Sequence, residues 1–162
     1  MSVISPWYQL GYVIPHIYTN MDAYQFYRVA PEGMMLVTTG LNLQGHSLEA
    51  VEHELPTFWD RVDVLARRKV DRIALSGVPV ASMLGRKRMR EVLSEAEQRS
   101  GLPCDTDLEA HIAVLKHLGA TRIALAKIVC GADRIAGARR VQFHPSFASA
   151  FRKWSAVSGS VQ

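Results

Sequence analysis

Short, unbroken apolar runs alternate along this chain with longer stretches that carry one apolar face. Gln9-Leu10-Gly11-Tyr12-Val13-Ile14 is the first run and reads as a strand stopped by Pro15. The loop through His16, Tyr18, Thr19 and Asn20 leads into a helix predicted over 21–30, which Pro31-Glu32-Gly33 ends. Met34 to Thr38 is the second strand, followed by a two-glycine loop from Gly40 to His46. Ser47 can cap the next helix, because its hydroxyl accepts an early N–H and Leu48-Glu49-Ala50 continue helically. That helix runs to Lys69, with Leu55, Phe58, Trp59, Val62 and Leu65 at core-facing spacing, and Pro56 should kink it or start a new segment.

Asp71-Arg72-Ile73-Ala74-Leu75-Ser76-Gly77-Val78-Pro79 is the stretch that organises the remainder. Ile73, Ala74 and Leu75 suit a central parallel strand covered on both faces, Gly77 permits a sharp turn, and Pro79 fits the first turn of a helix. Arg86 to Arg99 is a long amphipathic helix with Met89, Val92, Leu93 and Ala96 on one face, closed by Ser100-Gly101. Leu102-Pro103-Cys104 opens a short fourth strand, Asp105 or Thr106 caps a helix through Leu118, Gly119 stops it, and Thr121 to Ala126 is a fifth strand. The resulting β-α-β-α-β-α-β-α-β order predicts a flavodoxin-like, doubly wound parallel sheet. In such sheets ligands sit outside the carboxyl ends of the strands, so the loops after Ile14, Thr39, Ser76 and Ala126 should share one functional edge.

With 162 residues, 48% of them hydrophobic and 21% charged, the chain suits one α/β domain with a real core. No apolar run approaches the roughly 20 residues that span a bilayer, and the start lacks a signal-peptide pattern, which gives a cytoplasmic expectation. Cys104 and Cys130 lack metal-ligand spacing and read as small buried residues. The formal charge of +4 is uneven: residues 1–126 carry 13 Lys and Arg against 14 Asp and Glu, whereas 127–162 carry 6 against 1. This separates a domain at 1–126 from a basic, Ala/Ser/Arg-rich tail at 127–162 with weak periodicity, and it argues against a nucleic-acid face in the domain.

Gly40 to Gly45 is followed by no Lys-Ser/Thr pair, and the first strand by no Gly-x-Gly-x-x-Gly, so neither a P-loop nor a dinucleotide site is supported. The histidine pairs His46/His53 and His111/His117 miss the i,i+4 spacing of helical zinc ligands. His16 differs, because it follows the first strand at the predicted edge and becomes a pocket-lining candidate. Tyr18, Thr19 and Asn20 share that loop and can donate hydrogen bonds to a carboxylate. Glu49, Glu52 and Glu54, like Arg86, Lys87, Arg88 and Arg90, read as solvated helix faces.

Several segments together resemble the aspartate/glutamate/hydantoin racemase superfamily, in its maleate cis-trans isomerase and arylmalonate decarboxylase branch. They are Gly11-Tyr12-Val13-Ile14-Pro15, Thr19-Asn20-Met21-Asp22, the run from Phe26 to Gly33, Gly101-Leu102-Pro103-Cys104, and the run from Ala113 to Ala126. The resemblance covers about residues 10 to 126 and implies one half of a two-half racemase-type fold. It also implies chemistry on a small carboxylate without metal or organic cofactor: backbone N–H groups and hydroxyls hold the carboxylate, and a cysteine transfers a proton or adds to the double bond.

The position of the first-half cysteine falls on Gly77, as in the decarboxylase, so the resemblance assigns no catalytic residue here. Val78 and Pro79 replace the decarboxylase's following hydroxyl residues, Tyr18 falls where the isomerase has a substrate-binding asparagine, and Lys127-Ile128-Val129 stands where a carboxylate-binding tyrosine is usual. Residues 127–162 are too few for the second half, which raises the expectation of a truncation or reading-frame change, with a divergent C-terminal helix as the competing account.

The expected substrate-binding set is Pro15, His16, Tyr18, Asn20, Gly77 and Val78. The expected function is that of a maleate isomerase/arylmalonate decarboxylase-like protein, incomplete as a single chain, with homodimerisation as one way to complete the cleft. The alternative is a noncatalytic α/β binding or interaction module.

Overall fold

A computed structural model describes residues 5–16, 21–45 and 47–120. Four strands, β1 (Tyr8–Ile14), β2 (Met34–Gly40), β3 (Arg72–Leu75) and β4 (Cys104–Thr106), alternate with helices α1 (Met21–Val29), α2 (Leu48–Arg67), α3 (Val78–Ser100) and α4 (Asp107–His117). The strands form one parallel sheet in the order β2-β1-β3-β4. This is the predicted α/β architecture over the described residues. The predicted fifth strand and the tail at 127–162 lie outside them.

Alternation along each strand decides which face packs where. Val13, Ile73, Leu75 and Cys104 are buried together with Val51, Leu55, Phe58, Val62 and Leu65 of α2 and Met89, Val92, Leu93 and Ala96 of α3. The opposite face presents Leu10, Tyr12 and Leu36, which line an open hollow of about 500 Å³ with Asp22, Gln25, Phe26, Arg28 and Val29 of α1. α1 has no fully buried residue. Its Tyr27 hydroxyl accepts the backbone N–H of Leu36 on edge strand β2 at 3.0 Å.

Ser47 caps α2 as expected, its side chain accepting from Ala50 N–H. Pro56 does not break that helix. It lies exposed inside one continuous 20-residue helix, where water can serve the carbonyl left without a partner one turn earlier. The expected helix from Arg86 to Arg99 forms the second part of α3, which a break at Gly85 (φ 73°, ψ 159°) separates from a first part starting at Val78. Gly101 ends it in the left-handed conformation. The fourth strand starts at Cys104 rather than Leu102, and Thr106, not Asp105, caps α4 by accepting Glu109 N–H.

The charged helix faces are more engaged than their composition suggests. Arg86 is 5% exposed and makes a two-pronged pair with Glu109, Nε to Oε1 at 2.8 Å and Nη2 to Oε2 at 3.2 Å. Glu54 is also sheltered and accepts the backbone N–H of Asn42 at 3.3 Å. Arg88 pairs with Glu52 at 3.1 Å, and the Arg99 guanidinium lies 4.7 Å from the Trp59 ring centre, so both tie α3 to α2. Arg86→Ala, which leaves the sheltered Glu109 carboxylate with only Arg90 at 3.5 Å, is expected to cost about 3 kcal/mol in urea unfolding. Arg88→Ala, at a half-exposed pair, should cost less than about 1 kcal/mol in the same measurement.

Candidate active site

The strand order reverses between β1 and β3: β1 leads outward to β2 on one side and has β3 on the other. The carboxyl ends of β1 and β3 therefore flank the crevice in which doubly wound sheets hold ligands. Ser76 leaves β3 there, held by its N–H donating to Val13 carbonyl at 2.8 Å, and is 4% exposed. Its hydroxyl accepts the Tyr12 phenol at 2.7 Å and faces Asp107 Oδ2 at 3.3 Å. Gly77 N–H donates to the same Asp107 oxygen at 2.8 Å. Asp107 opens α4, the helix after β4, so this network joins the ends of three strands that are adjacent in the sheet.

Tyr12 also lies 3.4 Å from Asp22 Oδ2 at the start of α1. A phenol has one proton, and the 2.7 Å contact to Ser76 is the better-made bond. Burial, together with the charges of Asp107 and Asp22, pushes the Tyr12 phenol up to about 12, partly opposed by the Ser76 hydrogen bond. At neutral pH Tyr12 is thus a hydrogen-bond donor and not a base.

Gly77 is the N-cap of α3, with φ 101° and ψ 93°. A Cβ added there would lie 2.5 Å from Pro15 Cγ and 3.3 Å from Val80 Cγ2. Backbone conformation and the proline ring both favour glycine, so a cysteine at this position would be strained and would have to displace Pro15. Cys104 does not substitute for it. It pairs with Ile73 in the lower half of the sheet, donates to Leu102 carbonyl at 3.5 Å, and burial pushes its thiol up to about 11. Such a thiol is protonated and inert at neutral pH. Among the described residues, no group of three or more His, Cys, Asp or Glu could hold a metal ion.

The expected site residues separate accordingly. Pro15 and Gly77 meet at the crevice. His16 follows on the same edge and forms a backbone bridge with Asn42, while Val78 packs its side chain toward the core. Tyr18 and Asn20 lie outside the described residues, as does Cys130. Tyr12, Ser76 and Asp107 form the polar centre and were missed by sequence reasoning. A tyrosine out of step with the buried positions of β1 and a serine immediately before the turn glycine are the signals that could have marked the first two.

A doubly wound parallel half-sheet with its polar groups gathered at the β1/β3 switch is the class this fold and edge define. The chain belongs to the arylmalonate decarboxylase family, whose model matches residues 10–135. It is similar to the liganded crystal structure of an arylmalonate decarboxylase mutant carrying a glycine-to-cysteine and a cysteine-to-serine change, with TM-score 0.73 and 18% identity over 93% of this chain and 57% of that one. A second arylmalonate decarboxylase structure gives 0.57 and 22% over 68% and 46%, respectively. The maleate isomerase Iso from Pseudomonas putida S16 gives 0.58 and 15% over 69% and 50%. At these identities the likeness is one of fold, and the chain spans about half the length of these proteins. No individually curated protein matches the sequence. Among the described residues, no helix is long and apolar enough to cross a membrane.

Gly77→Ala should lower stability by about 3 kcal/mol, from positive-φ strain together with overpacking. Combining it with Pro15→Ala, which deletes the opposing Cγ, should recover the packing part, so a double-mutant cycle in urea reads a favourable coupling between the two changes. A second expectation concerns alkali. Because the Tyr12 pKa is raised in the folded state from 10.0 to about 12, its contribution is intact below pH 10 and is lost as pH climbs toward 12. Tyr12→Phe should flatten the fall in unfolding free energy over that window relative to the parent chain.

Proposed function

We propose that residues 1–126 form one half of a cleft that acts on a small carboxylate, in decarboxylation or isomerisation, without a metal or organic cofactor. The observation that carries this reading is the gathering of Tyr12, Ser76 and the Gly77 N–H at the functional edge of a family fold whose nucleophile position carries glycine. Hydrogen-bond donors fixed at that edge can hold a carboxylate and stabilise charge that develops on it. In decarboxylation the electrons of the breaking carbon–carbon bond pass into an enediolate on the retained carboxylate, and carbon dioxide leaves. The carbon must then receive a proton. Tyr12, Ser76 and Cys104 all hold their protons at neutral pH, so the donor for that step is a further group brought to the cleft.

A noncatalytic binding module is the second reading, favoured by the Asp107 carboxylate, which already takes the Gly77 N–H and faces the Ser76 hydroxyl. Nuclear magnetic resonance titration of the full ¹⁵N-labelled chain with phenylmalonate, paired with sedimentation and turnover assays on phenylmalonate and maleate, separates the two. The carboxylate reading expects the Ser76 and Gly77 amides to shift on addition of phenylmalonate, with turnover absent from monomer and appearing only in an assembly. Silent amides at this edge would leave the binding module as the surviving account.

A further inference from the structure

We propose that the open hollow beside α1 is the docking groove for the chain's own C-terminal stretch, residues 145–158, which enters it as an amphipathic helix. The hollow holds about 500 Å³ between Leu10 and Tyr12 of β1, Leu36 of β2, and Phe26 and Val29 of α1. β1 is an interior strand with β2 on one side and β3 on the other, and parallel sheets of this kind are covered on both faces. On one face α2 and α3 bury Val13, Ile73 and Leu75. On the other, Leu10, Tyr12 and Leu36 are only partly buried and Val29 is 83% exposed. Among the described residues the hollow is lined by β1, β2 and α1 alone, and α1 has nine residues, none of them fully buried. A helix that short holds its shape through packing rather than through its own propensity.

The chain supplies an occupant of matching character. Within the otherwise weakly periodic tail, Phe147, Ala150, Phe151 and Trp154 recur at i, i+3, i+4 and i+7, which puts them on one helix face, with Ser149, Arg152, Lys153 and Ser155 outside it. Pro145-Ser146 suits the start of such a helix and Ser158-Gly159 its stop. Residues 121–144 link this stretch to the end of the described chain, a reach of roughly 80 Å when extended, against roughly 30 Å across a small domain. Charge agrees as well. Residues 127–162 carry six Lys and Arg against one Asp, and the open face offers Asp22 at the rim of the hollow. Asp105 lies on the same face through the Tyr12–Ala74–Asp105 register, and its pair with Arg72 is long at 3.8 Å. A tethered segment acts at an effective concentration in roughly the millimolar range, which favours it over a second copy in dilute solution. Tyr12 lines the hollow and donates to Ser76, so the docked segment also steadies the ring that supports the candidate site.

Nuclear Overhauser spectra of the full ¹³C,¹⁵N-labelled chain test the docking, and isotope-filtered spectra of an equal mixture of labelled and unlabelled chain separate contacts within a chain from contacts between chains. The Leu10 and Leu36 methyls should contact the rings of Phe151 and Trp154 within one chain. In the full chain carrying Phe151→Ser with Trp154→Ser, amide exchange in α1 should quicken at least about tenfold, whereas Ala156→Ser, on the opposite helix face, should leave it within about twofold. Leucine methyls that contact only α1 and solvent, or α1 exchange unmoved by the double substitution, would overturn the proposal. Contacts found only between chains would overturn it too and give the groove to a second copy. The Overhauser contacts are read in the parent chain, so they decide the matter even where the double variant loses its folded spectrum.

Discussion

The contact between the Pro15 ring and Gly77 governs what the crevice can contain. With φ at 101° and a proline carbon 2.5 Å from where a Cβ would stand, any side chain at residue 77 is strained. The ends of β1 and β3 are neighbours in the sheet, and the polar groups reach the crevice from the residues around Gly77. Tyr12 comes from two residues before the end of β1, Ser76 from the last position before the turn, and Asp107 from the adjacent strand–helix junction. What these groups supply is hydrogen bonding and charge. The nucleophilic chemistry that the family resemblance attaches to this position is disfavoured by backbone geometry as well as by residue type.

The sequence was most informative where local rules and packing agree. Strand positions, the Ser47 cap, the Gly101 stop and the buried stripe of Met89, Val92, Leu93 and Ala96 all follow from periodicity and from donors that helix ends leave unpaired. Pro56 misled because the rule about proline concerns a lost hydrogen bond, and the rule weakens where the helix face is wet. Arg86 misled because it was grouped with its charged neighbours. Its spacing of three and seven to Met89 and Leu93 already placed it on the core-facing stripe, where a buried cation requires a partner such as Glu109.

The site itself was legible only at its backbone. Pro15 and Gly77 announce strand ends, and parallel order brings such ends to one edge. The hydrogen bonds that make the centre polar span 64 residues between Tyr12 and Ser76 and 31 between Ser76 and Asp107. No local pattern encodes contacts of that length, since strand order rather than sequence spacing creates them. The same holds for charge: the first-turn aspartate of α4 looks like an ordinary favourable placement at a helix start, and only the fold reveals that its carboxylate serves a different helix.

An edge strand in a parallel sheet exposes a row of unpaired amides to any other extended chain. On β2 that row is interrupted at Leu36, whose N–H is already taken by the Tyr27 hydroxyl of α1. Among the described residues β2 is the outer strand on its side, and a foreign strand taking up the Leu36 N–H would first have to displace a phenol held by the neighbouring helix.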